Sequence, residues 1–178
     1  MKCMVRTALA TVVVLIAILG GAQSSLAAKV TTISLADLAH QAEFIGVVRV
    51  DRISLGIPFL RRPRATATIL ESWKGQVTGH VSFVAAPTWI CDISDAEKNE
   101  EAILFVRDGK LLHAGRGRMP VFTREGRRLA TFWSEVILPK DVITEEGPEP
   151  EYRFIRAVSV TGLRDVIATM PSATSAAK

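Results

Sequence analysis

Cysteine is nearly missing from this chain. There are two, Cys3 and Cys91, and only Cys91 lies beyond the first 27 residues. A single cysteine cannot close an internal disulfide, so a stapled scaffold is excluded and the core must hold by packing. Tyrosine occurs once and aromatics make up 6% of the chain, so the aromatic interleaving that stacks nucleobases is absent. Histidine occurs only at positions 40, 80 and 113, with no His-x-His or His-Glu-x-x-His spacing for zinc. No Gly-x-Ser-x-Gly elbow, Ser-His-Asp order or pair of catalytic carboxylates stands out. The formal net charge of +4 falls by two once Lys2 and Arg6 are set aside, too little to point to nucleic acid. Nothing here calls for a cofactor or a metal.

What is present begins at the N-terminus. Lys2 and Arg6 precede the apolar stretch "ALATVVVLIAILGGA" and then the small residues "QSSLAA". That is the three-part layout of a secretory signal peptide, with Ser25 and Ala27 placing cleavage after Ala27. Cleavage after Ala22 or Ala28 fits nearly as well. The apolar core of about 15 residues falls short of the roughly 20 that span a bilayer, so an uncleaved anchor is only the alternative. Cys3 precedes that core, which does not suit a lipoprotein. Residues 1–27 are thus expected to be a signal peptide and 28–170 a single β-barrel domain. Residues 171–178 are expected to be a disordered tail. The destination is the periplasm or the exterior.

The domain opens on "SLADLAHQA", where Leu35, Leu38, Ala39 and Ala42 share a helical face and Ser34 with Asp37 reads as a capping box. Strands follow. "EFIGVVRV" has Gly46 as a bulge or bend, "RATATIL" and "ESWKG" lead to a turn at Gly75, and "HVSFVAA" alternates. "EAILFV" reads as a fully buried strand. Asp108-Gly109 predicts a type I′ hairpin into "KLLHA", and Glu125-Gly126 a second one joining "PVFTR" to "RRLATFW". "PKDVITEEGPEPE" reads as an acidic surface loop, "YRFIRAVSV" as the last strand and "TGLRDVIATM" as a C-terminal helix. Strands without intervening helices exclude a parallel βαβ design. The pattern predicts a mainly β protein: a small closed or partly open antiparallel barrel bracketed by an N-terminal and a C-terminal helix.

Five constellations bear on function. Cys91 has three readings: a buried structural residue, a bridge or redox-sensitive thiol, and a nucleophile with His113 as base. The acids from Asp92 to Glu101 would raise its thiol pKa, which argues against an activated thiolate. Those acids lack the glycine and alternation of a calcium loop, and Ser94 with Glu97 suggests a short capped helix instead. "HAGRGRMPVF" alternates Gly115 and Gly117 with Arg116 and Arg118, a candidate ligand- or partner-binding edge. The alternative is a glycine-kinked strand with solvated arginines. Arg61, Arg62 and Arg64, and Arg124, Arg127 and Arg128, form two further basic clusters suited to an anionic envelope component or a protein. Trp73, Trp89 and Trp133 each end a strand and suit core closure better than a ligand platform.

"AEFIGVVRV", "SWKG", "HVSFV" and "EEAILFVRDG", spanning roughly Glu43 to Gly109, resemble small exported bacterial proteins. Their layout is similar to the OB-type barrel of the tissue inhibitors of metalloproteinases. Inhibitors of that family chelate the protease zinc with a cysteine at the mature N-terminus. This chain would begin near Ala28 or Lys29, without that cysteine and without the family's disulfides. The resemblance therefore implies the fold and not the inhibition. The expectation is an exported, non-enzymatic binding or interaction module of the bacterial cell envelope, with an edge at Arg116 and Arg118. A Cys91-dependent enzyme or redox-sensitive protein is the alternative, and a homodimer bridged through Cys91 a third arrangement.

Overall fold

The computed structural model describes residues 32–56, 62–85, 96–148 and 155–170, all within the unit Thr31–Lys178. The expected signal peptide, Trp89, Cys91, Ser94 and the tail lie outside the described residues.

Ser34 opens helix α1 (Leu35–Gln41): its Oγ accepts from the Asp37 amide at 2.9 Å and donates to Asp37 Oδ2 at 2.6 Å. This satisfies one of the orphan donors of the first turn. Leu35, Leu38 and Ala39 are the buried face. Two residues ahead, β1 (Ile33–Ser34) pairs in parallel with β9 (Val136–Ile137).

The long strands come next: β2 (Phe44–Ser54), β3 (Arg64–Lys74) and β4 (His80–Val84). The bend expected at Gly46 is a register shift between Ile45 and Gly46 against β3. A Cβ on Gly46 would collide with the Glu71 carbonyl, so only glycine lets the two backbones approach there. β5 (Glu101–Arg107) is buried from Ala102 to Val106, as its continuous apolar run requires. Residues 96–100 form a turn at Lys98–Asn99 in place of the expected short helix.

Asp108 and Gly109 both adopt positive φ, 49° and 66°, and join β5 to β6 (Lys110–Leu111). That hairpin is shorter than expected. "KLLHA" leaves the ladder after two residues, and a 3₁₀ helix (Ala114–Gly117) replaces the glycine-kinked strand. β7 (Arg118–Arg124) and β8 (Arg127–Trp133) close the second expected hairpin through Glu125 and Gly126, with φ of 52° and 74°. The acidic loop contains a strand that its composition hides, β10 (Thr144–Glu146), antiparallel to β11 (Ile155–Ser159). Helix α2 (Val160–Thr169) follows, its N-cap Ser159 accepting from the Gly162 amide.

The main sheet runs β10-β11-β8-β7-β5-β2-β3-β4, each neighbouring pair antiparallel, with β6 against β5. The protein is mainly β, but among the described residues the path is open. β10 spends its three residues on β11 and does not meet β4, so the closed form of the expected barrel is not built.

Alternating side chains of β2 and β5 feed two cores, one on each face. Ile45, Val47, Ile103 and Phe105 pack with Leu35 and Leu38 of α1 and with Leu163 and Ile167 of α2. On the opposite face, Val48, Val50, Leu104 and Val106 meet Ala65 and Ala67 of β3 and Phe83 of β4. The sheet must also curl. Three strands separate β8 from β3, about 19 Å in a flat sheet. Yet Arg128 of β8 donates to Glu71 of β3 and to Glu101 of β5, both at 2.9 Å.

Candidate functional site

The Gly/Arg segment turns inward. Arg118 is 6% exposed and forks onto Glu100, Nε to Oε1 at 3.0 Å and Nη2 to Oε2 at 3.1 Å. Glu100 Oε2 also accepts from the Glu97 amide at 2.8 Å. A Cβ on Gly117 would strike the Leu112 carbonyl, and Arg116 is half-buried and engaged. Gly117 thus admits the 3₁₀ helix against neighbouring backbone, and the arginine next to it is neutralised in the interior. Of the candidate binding edge at Gly115, Arg116, Gly117 and Arg118, the Arg118 guanidinium already holds a carboxylate at two points.

The other basic clusters also hold strands together. Arg64 donates to the Ser82 hydroxyl and carbonyl, tying β3 to β4. Arg124 donates to the carbonyls of Glu146 and Gly147 and lies 5.2 Å from the Phe122 ring centre. Arg127 forks onto Glu145. Arg62 is exposed, and Arg61 lies outside the described residues. The Trp73 indole, then Arg128, hold the Glu71 carboxyl below the usual carboxylate range, against the opposing effect of burial. Arg127 does the same for Glu145.

His113 sits exposed in the left-handed region (φ 48°), its Nε2 3.3 Å from Gln41 Oε1. Its expected partner Cys91 lies outside the described residues, as does any bridge through it. Trp73 packs partly buried against the helix-side core, and Trp133 is buried. Among the described residues no three His, Cys, Asp or Glu gather as a metal cluster, and no helix is long and apolar enough to cross a membrane.

Two clefts among the described residues are roomy enough for a small molecule, and neither was legible in the sequence. The first, about 400 Å³, lies where α1, α2 and the end of β3 meet, with Trp73, Ile167 and Met170 as apolar surface and Ala39 and Ala168 giving room. Its charged groups have structural work. Lys74 Nζ donates to the carbonyls of Ala39 and His40 at 2.6 and 3.3 Å, and Asp37 holds Ser34. The His40 imidazole lines it with no hydrogen bond or ion pair to the described residues.

The second, about 410 Å³, lies between β8, the segment 138–142, β10 and β11. Phe132, Leu138, Pro139 and Val142 supply its apolar side, and Lys140 and Arg156 its charge. Arg156 was visible in sequence only as one letter of a strand, and Lys140 as one base in an acidic loop.

Among the described residues, fold and clefts define a mainly β protein whose main sheet is antiparallel, curled and open, with two α-helices packed on one face. No protein-family model, curated protein or solved structure matches the chain.

Proposed function

We propose that this chain is an exported, non-enzymatic binding module of the bacterial cell envelope. In this reading, β2 to β6 form a partly open barrel of OB type. Burial of both faces of β2 and β5 supports it, as does the curl that brings Arg128 to Glu71. The signal-like residues 1–27 support export.

One observation carries the binding reading: the cleft between α1, α2 and β3. Its size suits a small molecule, and ligand sites are mostly apolar with few polar groups. Lys74 and Asp37 are committed to capping α1, so the cleft offers shape, an indole and aliphatic contact rather than a nucleophile paired with a base. That favours capture over turnover. The ligand is accordingly small and apolar in part, to meet Trp73, Ile167 and Met170, and this site at the helices is separate from the edge at Arg116 and Arg118.

The test is to titrate the ¹⁵N-labelled unit Thr31–Lys178 with a small-molecule extract of the cell envelope. Amide shifts are expected at Ala36, Ala39 and Ala168, and they should vanish in Ala168→Trp, which fills the cleft. Shifts that survive the filling, or none at all in wild type, would overturn the assignment.

A further inference from the structure

We infer that the cleft under residues 138–142 is a second binding site, specific for a carboxylate on an apolar body, with Arg156 and Lys140 as its anion-binding pair. It is independent of the helix cleft.

The charge balance of the cleft is one-sided. Lys140 and Arg156 line it, the hydroxyl-bearing Ser134 and Thr144 stand beside them, and no carboxylate is among its described lining residues. Elsewhere Arg118, Arg127 and Arg128 each hold a glutamate. Arg156 does not. Its Nη2 donates to Thr144 Oγ1 at 2.8 Å and more weakly to the Thr144 carbonyl at 3.5 Å. Its register partner Glu146 is exposed and makes no ion pair with it, and Lys140 makes none either.

The second observation is independent of this count. Arg156 Nε is enclosed and has no acceptor. Enclosed donors are nearly always satisfied, so an orphaned one asks what would satisfy it. A carboxylate suits it. The planar donors of a guanidinium match a carboxylate's oxygens, and such charge-assisted bonds are shorter and stronger than neutral ones.

The apolar side selects the rest of the ligand. Phe132 is 5% exposed, and Leu138 and Val142 pack against the helix-side core, so this wall is fixed. Volume near 410 Å³ accepts a medium-length acyl chain or an aromatic ring, and a large polar anion would leave the wall unused.

Octanoate is the probe for the acyl form and phenylacetate for the aromatic one. Octanol and octyltrimethylammonium are the neutral and cationic controls. Each is titrated into the ¹⁵N-labelled unit, following the Arg156 Nε–H resonance and the amides of 138–144. Octanoate or phenylacetate should shift the Nε–H signal downfield, and whichever binds tighter names the body. Arg156→Lys should weaken binding by roughly tenfold or more, the size of one charge-assisted hydrogen bond. Lys140→Ala, at an exposed position, should weaken it less and leave the fold untouched. Octanol binding as well as octanoate would overturn the proposal, as would an unmoved Nε–H signal. So would Arg156→Lys and Lys140→Ala both binding octanoate like wild type. A failed helix-cleft test leaves these outcomes unaffected, because Ala168→Trp does not touch this cleft.

Discussion

A guanidinium and a carboxylate taken out of water hold each other's charge only while both are present. Arg118 and Glu100 are such a pair, their side chains 5% and 12% exposed. Removing one leaves the other buried and uncompensated, which typically costs about 3–5 kcal/mol. Arg118→Ala is therefore expected to lower the unfolding free energy by that order, read as a lower urea midpoint. Replacing both partners, Arg118→Met with Glu100→Leu, should recover much of the loss, because no lone charge remains. Arg127→Ala is the control. Its fork onto Glu145 has similar geometry, but the arginine is exposed, and an exposed pair should leave the midpoint where it was. If Arg118→Ala behaved like Arg127→Ala, the Arg118–Glu100 pair would not be an interior pair that the fold depends on. The sequence showed the unusual pairing of glycines with arginines there, but not the glutamate 18 residues upstream that claims one of them.

Elements were legible where the signal is local. The Ser34 cap, the hairpins at Asp108-Gly109 and Glu125-Gly126 and the buried run of β5 each depend on a few consecutive residues, and all four formed. β10 was hidden because Glu and Pro around it read as loop, while its pairing is supplied by β11. The contact of Arg128 with Glu71 spans 57 residues and depends on sheet curl, which no local pattern encodes. That contact predicts a pH dependence. Trp73 first, and Arg128 after it, depress the folded pKa of Glu71 below 4.5. A depressed carboxylate contributes stability in full above its unfolded pKa and loses it as pH falls through the folded value. Glu71→Gln should therefore melt lower than wild type at pH 7, by no more than about 1 kcal/mol after solvent screening. The two melting curves should converge below pH 4.5. A constant difference from pH 7 down to pH 2 would mean that packing, and not charge, ties β8 to β3.

Because β2 and β5 are covered on both sides, the two cores share a backbone even where their side chains do not meet. Ile103 faces the helices and Leu104, its neighbour, faces β3 and β4. Loss of either side chain should cost about 2–5 kcal/mol, the range for a buried aliphatic cut to alanine. The informative quantity is where that loss appears. If the sheet is one cooperative unit, Ile103→Ala and Leu104→Ala each reduce amide protection equally in β3 and in β8, which β5 links through β2 on one side and β7 on the other. Native-state hydrogen exchange on the two variants reads this directly. Leu104→Ala loosening β3 and β4 alone would mean two units joined along β2 and β5, with the helix-bearing face able to stay closed while the other opens. Both clefts lie near residues of the helix-side core, so equal loss would couple ligand capture to global stability. Local loss would leave the clefts intact in a partly opened molecule.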